Sequence, residues 1–269
     1  MKKAFIALLV GVLVVGVTVG AASAKSGKSA ATVDVCVLLP DTKSSVRWEQ
    51  FDRPSFLKAL KAAGVKASVT NALADPQKQL AQAETCINNG AKVGVITSLD
   101  TGTSIAIQKK FTAVGGKTVD YDRQIVGGTG SVYVSFDGNQ VGRIQARGVI
   151  SGMVAKKTYG PNGVIAQLWG GPTDANAFWF KSGNDDVLNP LFKVKKVKKG
   201  PAKFVPEWSD KNAQTIFEQR LITTSNNIQG VVAANDNIAG AVLATLKAKG
   251  LDPVALSGQD ATVQGVQNI

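Results

Sequence analysis

Strand signals and helix signals alternate along this chain from Val33 almost to its end, and few architectures accommodate that pattern. VDVCVLL, from Val33 to Leu39, reads as a strand, the segment from about Glu49 to Ala63 as a helix stopped by Gly64, and VKASVT from Val65 as a second strand. Pro76 opens a helix that runs to Asn89 and Gly90. Strand AKVGVIT, a helix from about Thr103 to Val114 and strand KTVDY follow. Repeated βα winding of this kind predicts an α/β fold, with parallel sheets covered on both faces and right-handed crossovers.

SVYVSFDGNQVG is a natural boundary, because a strand ends there and a helix from Gln140 to about Val154 begins a second series. That series runs through strand GVIAQLW, a helix from about Asp174 to Leu188, the basic strand FKVKKVKK, a helix from about Asp210 to Thr224, strand GVVAA, a helix from about Ile238 to Lys249 and strand PVALSG. Two Rossmann-like lobes are therefore expected, at residues 33–137 and 138–269, joined near Phe136 to Asn139 and by the segment around Gln259 to Thr262. The lysine run from Lys193 to Lys203 reads as a solvated edge strand. Only ATVQGVQNI follows Asp260, a helix start with nothing to pack behind it, so the second lobe is expected to be incomplete at its C-terminus.

The first two dozen residues read as an address. Lys2 and Lys3 precede an apolar stretch from Ala4 to Gly20, and Ala22, Ser23 and Ala24 supply a small-residue cleavage pattern, so a signal peptide cut after Ala24 is expected. Residues 25–32 then form a flexible N-terminus, and the protein is exported to the periplasm or cell envelope. The formal charge of +12 falls to +10 when Lys2 and Lys3 leave, a surface property with no aromatic-interleaved basic motif that would indicate nucleic acid. Histidine is absent, which removes Ser-His-Asp and Cys-His catalysis and His-based zinc sites. No enzyme, metal site or cofactor is expected. Of the two cysteines, Cys36 falls in the first strand and Cys86 late in the second helix, which crosses over that strand in a 2-1-3 sheet. They either bridge, as an exported location permits, or stay two separate buried thiols.

Three apolar runs end in a similar polar tip: VYVSF in Asp137, GVVAA in Asn235 and Asp236, VALSG in Gln259 and Asp260. Such tips either cap the next helix or stand in the crevice where open α/β sheets bind ligands. Further polar groups follow other strands: Arg47 and Trp48, Asp122 and Arg123, then Asp174 and Asn176. Carboxylates accept hydrogen bonds from paired hydroxyls, arginine donates in a fork, asparagine does both, and tryptophan stacks on a C–H face. Charges of both signs together point to a neutral polyol.

The segments RW (Arg47, Trp48), YDR (Tyr121 to Arg123), VSFD (Val134 to Asp137), GGPTDANA (Gly170 to Ala177), VVAANDNIAG (Val231 to Gly240) and LSGQDA (Leu256 to Ala261) resemble the exported sugar-binding proteins of ABC transporters, most closely the D-xylose-binding branch. The resemblance implies the type I periplasmic-binding-protein fold and closure of two lobes on one monosaccharide, with no chemistry performed. It also implies a ligand-binding set of Arg47, Trp48, Asp122, Arg123, Asp137, Asn176, Asn212, Asn235, Asp236 and Gln259. Gly138 stands where that family commonly has asparagine, with Asn139 one place later, so one ligand contact is lost or re-sited. The family also continues past GQDA through further strands and a helix, so the resemblance implies that the chain as it stands is unstable or a weak binder.

The expected function is thus a monomeric solute-binding protein that delivers xylose or a similar aldose to an ABC permease. Two alternatives remain: a sugar sensor presenting to a chemoreceptor or histidine kinase, and a carboxylate-only glycosidase using Asp137 and Asp236.

Overall fold

The computed structural model describes residues 32–269. The expected leader, its cut after Ala24 and the N-terminal tail to residue 31 lie outside the described residues. In the first lobe the elements are β1 (Val35–Leu39), α1 (Arg53–Ala62), β2 (Ala67–Asn71), α2 (Pro76–Asn88), β3 (Val93–Ile96), α3 (Thr101–Ala113), β4 (Lys117–Tyr121) and β5 (Val132–Val134). A π-helical turn, Trp48–Asp52, leads into α1. The second series is α4 (Gly138–Ala155), β6 (Val164–Trp169), α5 (Ala175–Lys193), β7 (Lys198–Phe204), α6 (Asp210–Thr223), β8 (Gly230–Ala233), α7 (Asp236–Ala248), β9 (Ala255–Leu256) and α8 (Val263–Gln267).

The strands form two sheets, ordered β2-β1-β3-β4-β5 and β7-β6-β8-β9, and every pairing is parallel. Parallel pairing requires each strand to return by a crossover, here a helix everywhere within a sheet except between β4 and β5, so all strands of a sheet start at one end and the helices between them start at the other. Every helix start except that of α1 is met by a side chain the sequence places there. Asp75 accepts from the amides of Gln77 and Lys78, Asp100 from Thr103, Ser209 from Asn212 and Thr262 from Gly265. Helices α1 and α2 stop at Gly64 (φ +70°) and Gly90 (φ +102°), left-handed positions that a Cβ disfavours.

Two cores follow from the layers. In the first lobe, Leu38, Ile96, Ile107 and Phe111 pack fully buried beside Cys36 and Cys86. Cys36 and Cys86 are disulfide-bonded, with Cα atoms 6.0 Å apart, because α2 crosses over β1. In the second lobe, β6 and β8 are sandwiched between α4 with α5 and α6 with α7, around Leu168, Phe217, Val231 and Ile238. Close approach of α4 and α5 depends on Gly142 and Gly183, where a Cβ would come within 2.1 Å of the Phe180 carbonyl oxygen and 2.0 Å of the Asn139 carbonyl oxygen respectively.

The basic strand is displaced from its expected position. Helix α5 continues through Pro190 to Lys193, closed by Lys195 and Lys196 donating to the carbonyls of Phe192 and Leu191, and Lys195 turns at φ +55°. Pairing then starts at Lys198 against Val164, and a register shift accommodates Gly200 and Pro201 on this edge strand, where a missing N–H costs least. Helix α4 starts at Gly138 and α7 at Asp236, each two residues earlier than the apolar pattern indicated. Among the described residues no helix is long and apolar enough to cross a membrane.

Candidate functional site

The carboxyl ends of the two sheets face one another, and the loops there enclose a cavity of about 40 Å³. The first lobe contributes the loop after β1 and the turn after β4; the second contributes the starts of α5 and α7, the turn at Trp208 and the loop after β9.

Trp48 forms the wall of the first lobe. Its ring is buried against Val37 and Leu39, its indole N–H donates to Ser44 Oγ at 3.0 Å, and two guanidinium groups lie by it, Arg47 at 4.2 Å and Arg123 at 5.6 Å from the ring centroid. Arg47 divides its fork between Asp52 (3.0 Å) and Asp122 (2.9 Å). Burial opposes the Arg47 charge, yet Asp122, Asp52 and Asp260 outweigh it and hold its pKa above the ordinary value. Burial also raises Asp52 despite Arg47 and the Tyr121 hydroxyl, and pushes Tyr121 up to about 12 with the help of Asp52. The backbone of Asp122 sits at φ +64° and that of Asp260 at φ +91°, uncommon conformations held at the very turns that aim these carboxylates inward.

Arg123 reaches across the cleft. Its Nε lies 2.9 Å from Asp174 Oδ2 but off the N–H axis, so the contact is charge on charge rather than an aligned hydrogen bond. Its other nitrogens donate to Ser44 Oγ and to the carbonyl of Ser98. Asp174 also accepts from the Asn176 amide, capping α5, and from the Trp208 indole N–H at 3.1 Å. Burial dominates this carboxyl and raises its pKa to about 6, against the opposing pull of Arg123. Asp260 is likewise raised to about 6, first by burial, with Arg47 opposing and Asp122 and Asp236 adding.

Other bonds also join the two series. Asn176 Nδ2 donates to the carbonyl of Asp122 (3.0 Å) and accepts from the Tyr133 hydroxyl at Oδ1 (3.3 Å). Asn235 uses both ends of its amide: Oδ1 accepts from the Ile238 amide to cap α7, while Nδ2 donates to the carbonyl of Ser44. Asn237 donates to the carbonyls of Lys43 and Ser44.

The structure gathers Arg47, Trp48, Asp122, Arg123, Asn176, Asn235 and Gln259 around the cavity, and leaves Asp137, Asn212 and Asp236 off it. Asp137 is exposed and serves as the cap of α4, accepting from the Gln140 amide. Asn212 donates to the carbonyl of Pro206, holding the turn before α6. Asp236 turns toward the loop after β9, where Oδ2 accepts from the amide and hydroxyl of Thr262. The separation of Asp137 from the cavity leaves the envisaged glycosidase pair without a shared site. Ser44, Ser45, Phe180, Trp208 and Asp260 complete the lining. Asp260 had a readable signal in its strand-tip position; the serines had none. Trp208 had one in WGGP: a Cβ on Gly170 would stand 2.1 Å from the Trp208 ring, so that glycine admits the indole. Among the described residues no group of three His, Cys, Asp or Glu could hold a metal ion.

Two parallel α/β sheets thus meet at one polar, tryptophan-walled cleft. The chain belongs to the periplasmic binding protein domain family, whose match extends over residues 35–269. It is 34% identical over 224 residues to the D-xylose-binding periplasmic protein of Escherichia coli (strain K12), covering 83% of this chain and 66% of that protein. The D-xylose-binding periplasmic protein of Haemophilus influenzae is 35% identical, with 83% and 65% covered. The chain thus spans about two thirds of the length of these curated relatives. Among solved structures, an ABC transporter solute binding protein from Clostridium phytofermentans with bound β-D-glucose superposes with a TM-score of 0.76 at 26% identity, covering 87% of this chain and 75% of that one. A carbohydrate transporter solute binding protein from Chloroflexus aurantiacus in complex with D-glucose gives 0.74 at 25% identity, with 88% and 75% covered.

Proposed function

We propose that this protein is an exported solute-binding protein that captures one neutral monosaccharide, xylose or a similar aldose, between its lobes and passes it to an ABC permease. The observation that carries this reading is the composition of the cleft. Arg47 and Arg123 donate, Asp122 and Asp260 accept, Asn176 and Asn235 do both, and Trp48 and Trp208 supply flat apolar surface, all converging on one cavity from both lobes. Opposite charges already paired with each other favour a ligand with many hydroxyls and no net charge, since a charged ligand would leave one of the existing partners buried and unsatisfied. The relatives named for D-xylose and the neighbours holding D-glucose support an aldose. Arg47, Trp48, Asp122, Arg123, Asn176, Asn235 and Gln259 are the proposed ligand contacts.

Tryptophan fluorescence titration with xylose, arabinose, ribose, glucose and glucuronate tests this reading, because Trp48 and Trp208 both line the cavity. Saturable quenching or enhancement by at least one neutral aldose, with glucuronate much weaker, is the expected result. Preference for the charged sugar, or no response to any aldose, contradicts it.

A further inference from the structure

The cationic excess of this chain is concentrated at one place. Because both sheets are parallel, the strand starts and the helix ends share the pole opposite the cleft; in the second lobe that pole begins at Val164, Lys198, Gly230 and Ala255. Lys156 and Lys157 follow α4, Lys193, Lys195 and Lys196 follow or end α5, and Lys198 opens β7. Lys247 and Lys249 add two more at the end of α7. All are exposed, and among the described residues none of them lies within 4.0 Å of a carboxylate. The loop after α7 contributes one acid, Asp252. Helix dipoles account for a cation at each helix end and edge protection for lysines on β7. Neither requires eight cations against one carboxylate.

The shape of the pole narrows the partner. Lys157, Asn162 and Gln229 line one concavity; the next shares Thr158 and Gln229 with it and adds Lys156, Asn226 and Asp252 over an apolar side of Ile228, Leu246 and Leu251, so the two run together as a trough beneath the starts of β6, β8 and β9. Lys198 reaches its rim, where its amino group donates to Asn162 Oδ1 at 3.1 Å. A narrow trough edged by lysines, with the amides of Asn162 and Gln229 in its more polar half, fits a thread of repeating phosphates better than a flat bilayer. Strand β6 is six residues long, which sets the trough about 20 Å from the cleft.

We propose that this pole binds a linear, phosphate-bearing polyanion and so tethers the protein with its cleft free. The partner is defined by its chemistry: regularly spaced phosphate charges on a flexible chain. Lysine suits it as a strongly hydrated point charge that needs no fixed angle, and the affinity is dominated by released counterions.

The test uses long-chain inorganic polyphosphate as the probe, titrated against the whole protein over a series of salt concentrations. Binding is expected to weaken with salt, with a log–log slope of about −3 for a four-lysine site. Changing Lys157, Lys195, Lys196 and Lys198 together to Gln is expected to lower the affinity at least tenfold and flatten the slope. The matched set Lys58→Gln, Lys61→Gln, Lys109→Gln and Lys117→Gln on the first lobe removes the same charge and is expected to stay within twofold. Xylose titration and urea melts of both variants check that the cleft and the fold are intact. The proposal is overturned by absent polyphosphate binding at low salt or by equal losses in both variants. It is also overturned by tighter binding to vesicles of equal parts phosphatidylglycerol and phosphatidylcholine, which would make the pole a bilayer contact.

Discussion

Replacing Asp174 by Asn isolates the cost of burying a carboxylate between the lobes. Its side chain is 5% exposed, its pKa stands at about 6 against an ordinary 3.8, and burial is the largest cause. A folded-state value above the unfolded one means that the folded protein holds the proton more tightly. The contribution to stability is then fully present below about pH 4 and is lost as the pH rises through about 6. A difference of about two units corresponds to about 3 kcal/mol. Asn keeps the shape and cannot ionise, but its single oxygen can either cap α5 or accept from Trp208, so the variant carries a fixed cost of one lost hydrogen bond at every pH. At pH 4, where Asp174 is protonated, the variant should therefore stand below wild type by that fixed cost alone. Between pH 4 and pH 7 the variant should gain on wild type by up to about 3 kcal/mol. Asp260, also raised to about 6, titrates in both proteins and cancels in the difference. Urea melts followed by tryptophan fluorescence at pH 4, 5, 6 and 7 measure it. Parallel profiles, or a variant that loses ground as the pH rises, would show that the Arg123 attraction outweighs burial and refute the reasoning.

Two further outcomes concern the scaffold. The Cys36–Cys86 bridge spans 50 residues, and closing a loop of that length restricts the unfolded chain by about 4 kcal/mol; Cys36→Ala with Cys86→Ala should lower the urea midpoint accordingly, and an unchanged midpoint would count against the bridge. Gly142→Ala drives a methyl into the Phe180 carbonyl and should destabilise by about 1 to 3 kcal/mol, whereas Gly148→Ala on the same helix, where a Cβ meets nothing within 4 Å, should not.

Much of the architecture was legible because βα winding writes itself twice, once as apolar runs and once as caps and stops between them. The displaced β7 marks the limit. Val194 and Val197 between lysines carry a two-residue alternation only in part, and the decision to keep α5 going to Lys193 rests on packing against α4 that no local pattern contains. The site divides in the same way. Asp122 and Asn235 stand at strand ends, and Asn176 in the first turn of the helix after β6, and they were readable there. Asp137 stands at a strand end too, but a carboxylate that caps a helix and one that faces a cleft look alike in sequence, and only the exposed position of Asp137 separates them. Asp174 is both at once: it caps α5 and meets Arg123 from the other lobe. Ser44 acts through contacts 79 residues away at Arg123 and 191 residues away at Asn235. No spacing rule reaches that far.

The central claim is that this cleft captures a neutral sugar through Arg47 and its carboxylate partners, and titration calorimetry with D-xylose on wild type and Arg47→Ala tests it most directly. Arg47 lines the cavity beside Asp122, so its loss removes a charged donor to the sugar hydroxyls, a deficit of about 1 to 3 kcal/mol, or roughly tenfold to a hundredfold in affinity. One site per chain in wild type, weakened by that factor in the variant, is the predicted result. No heat of binding from xylose in wild type, or equal affinity in the two proteins, would contradict the account.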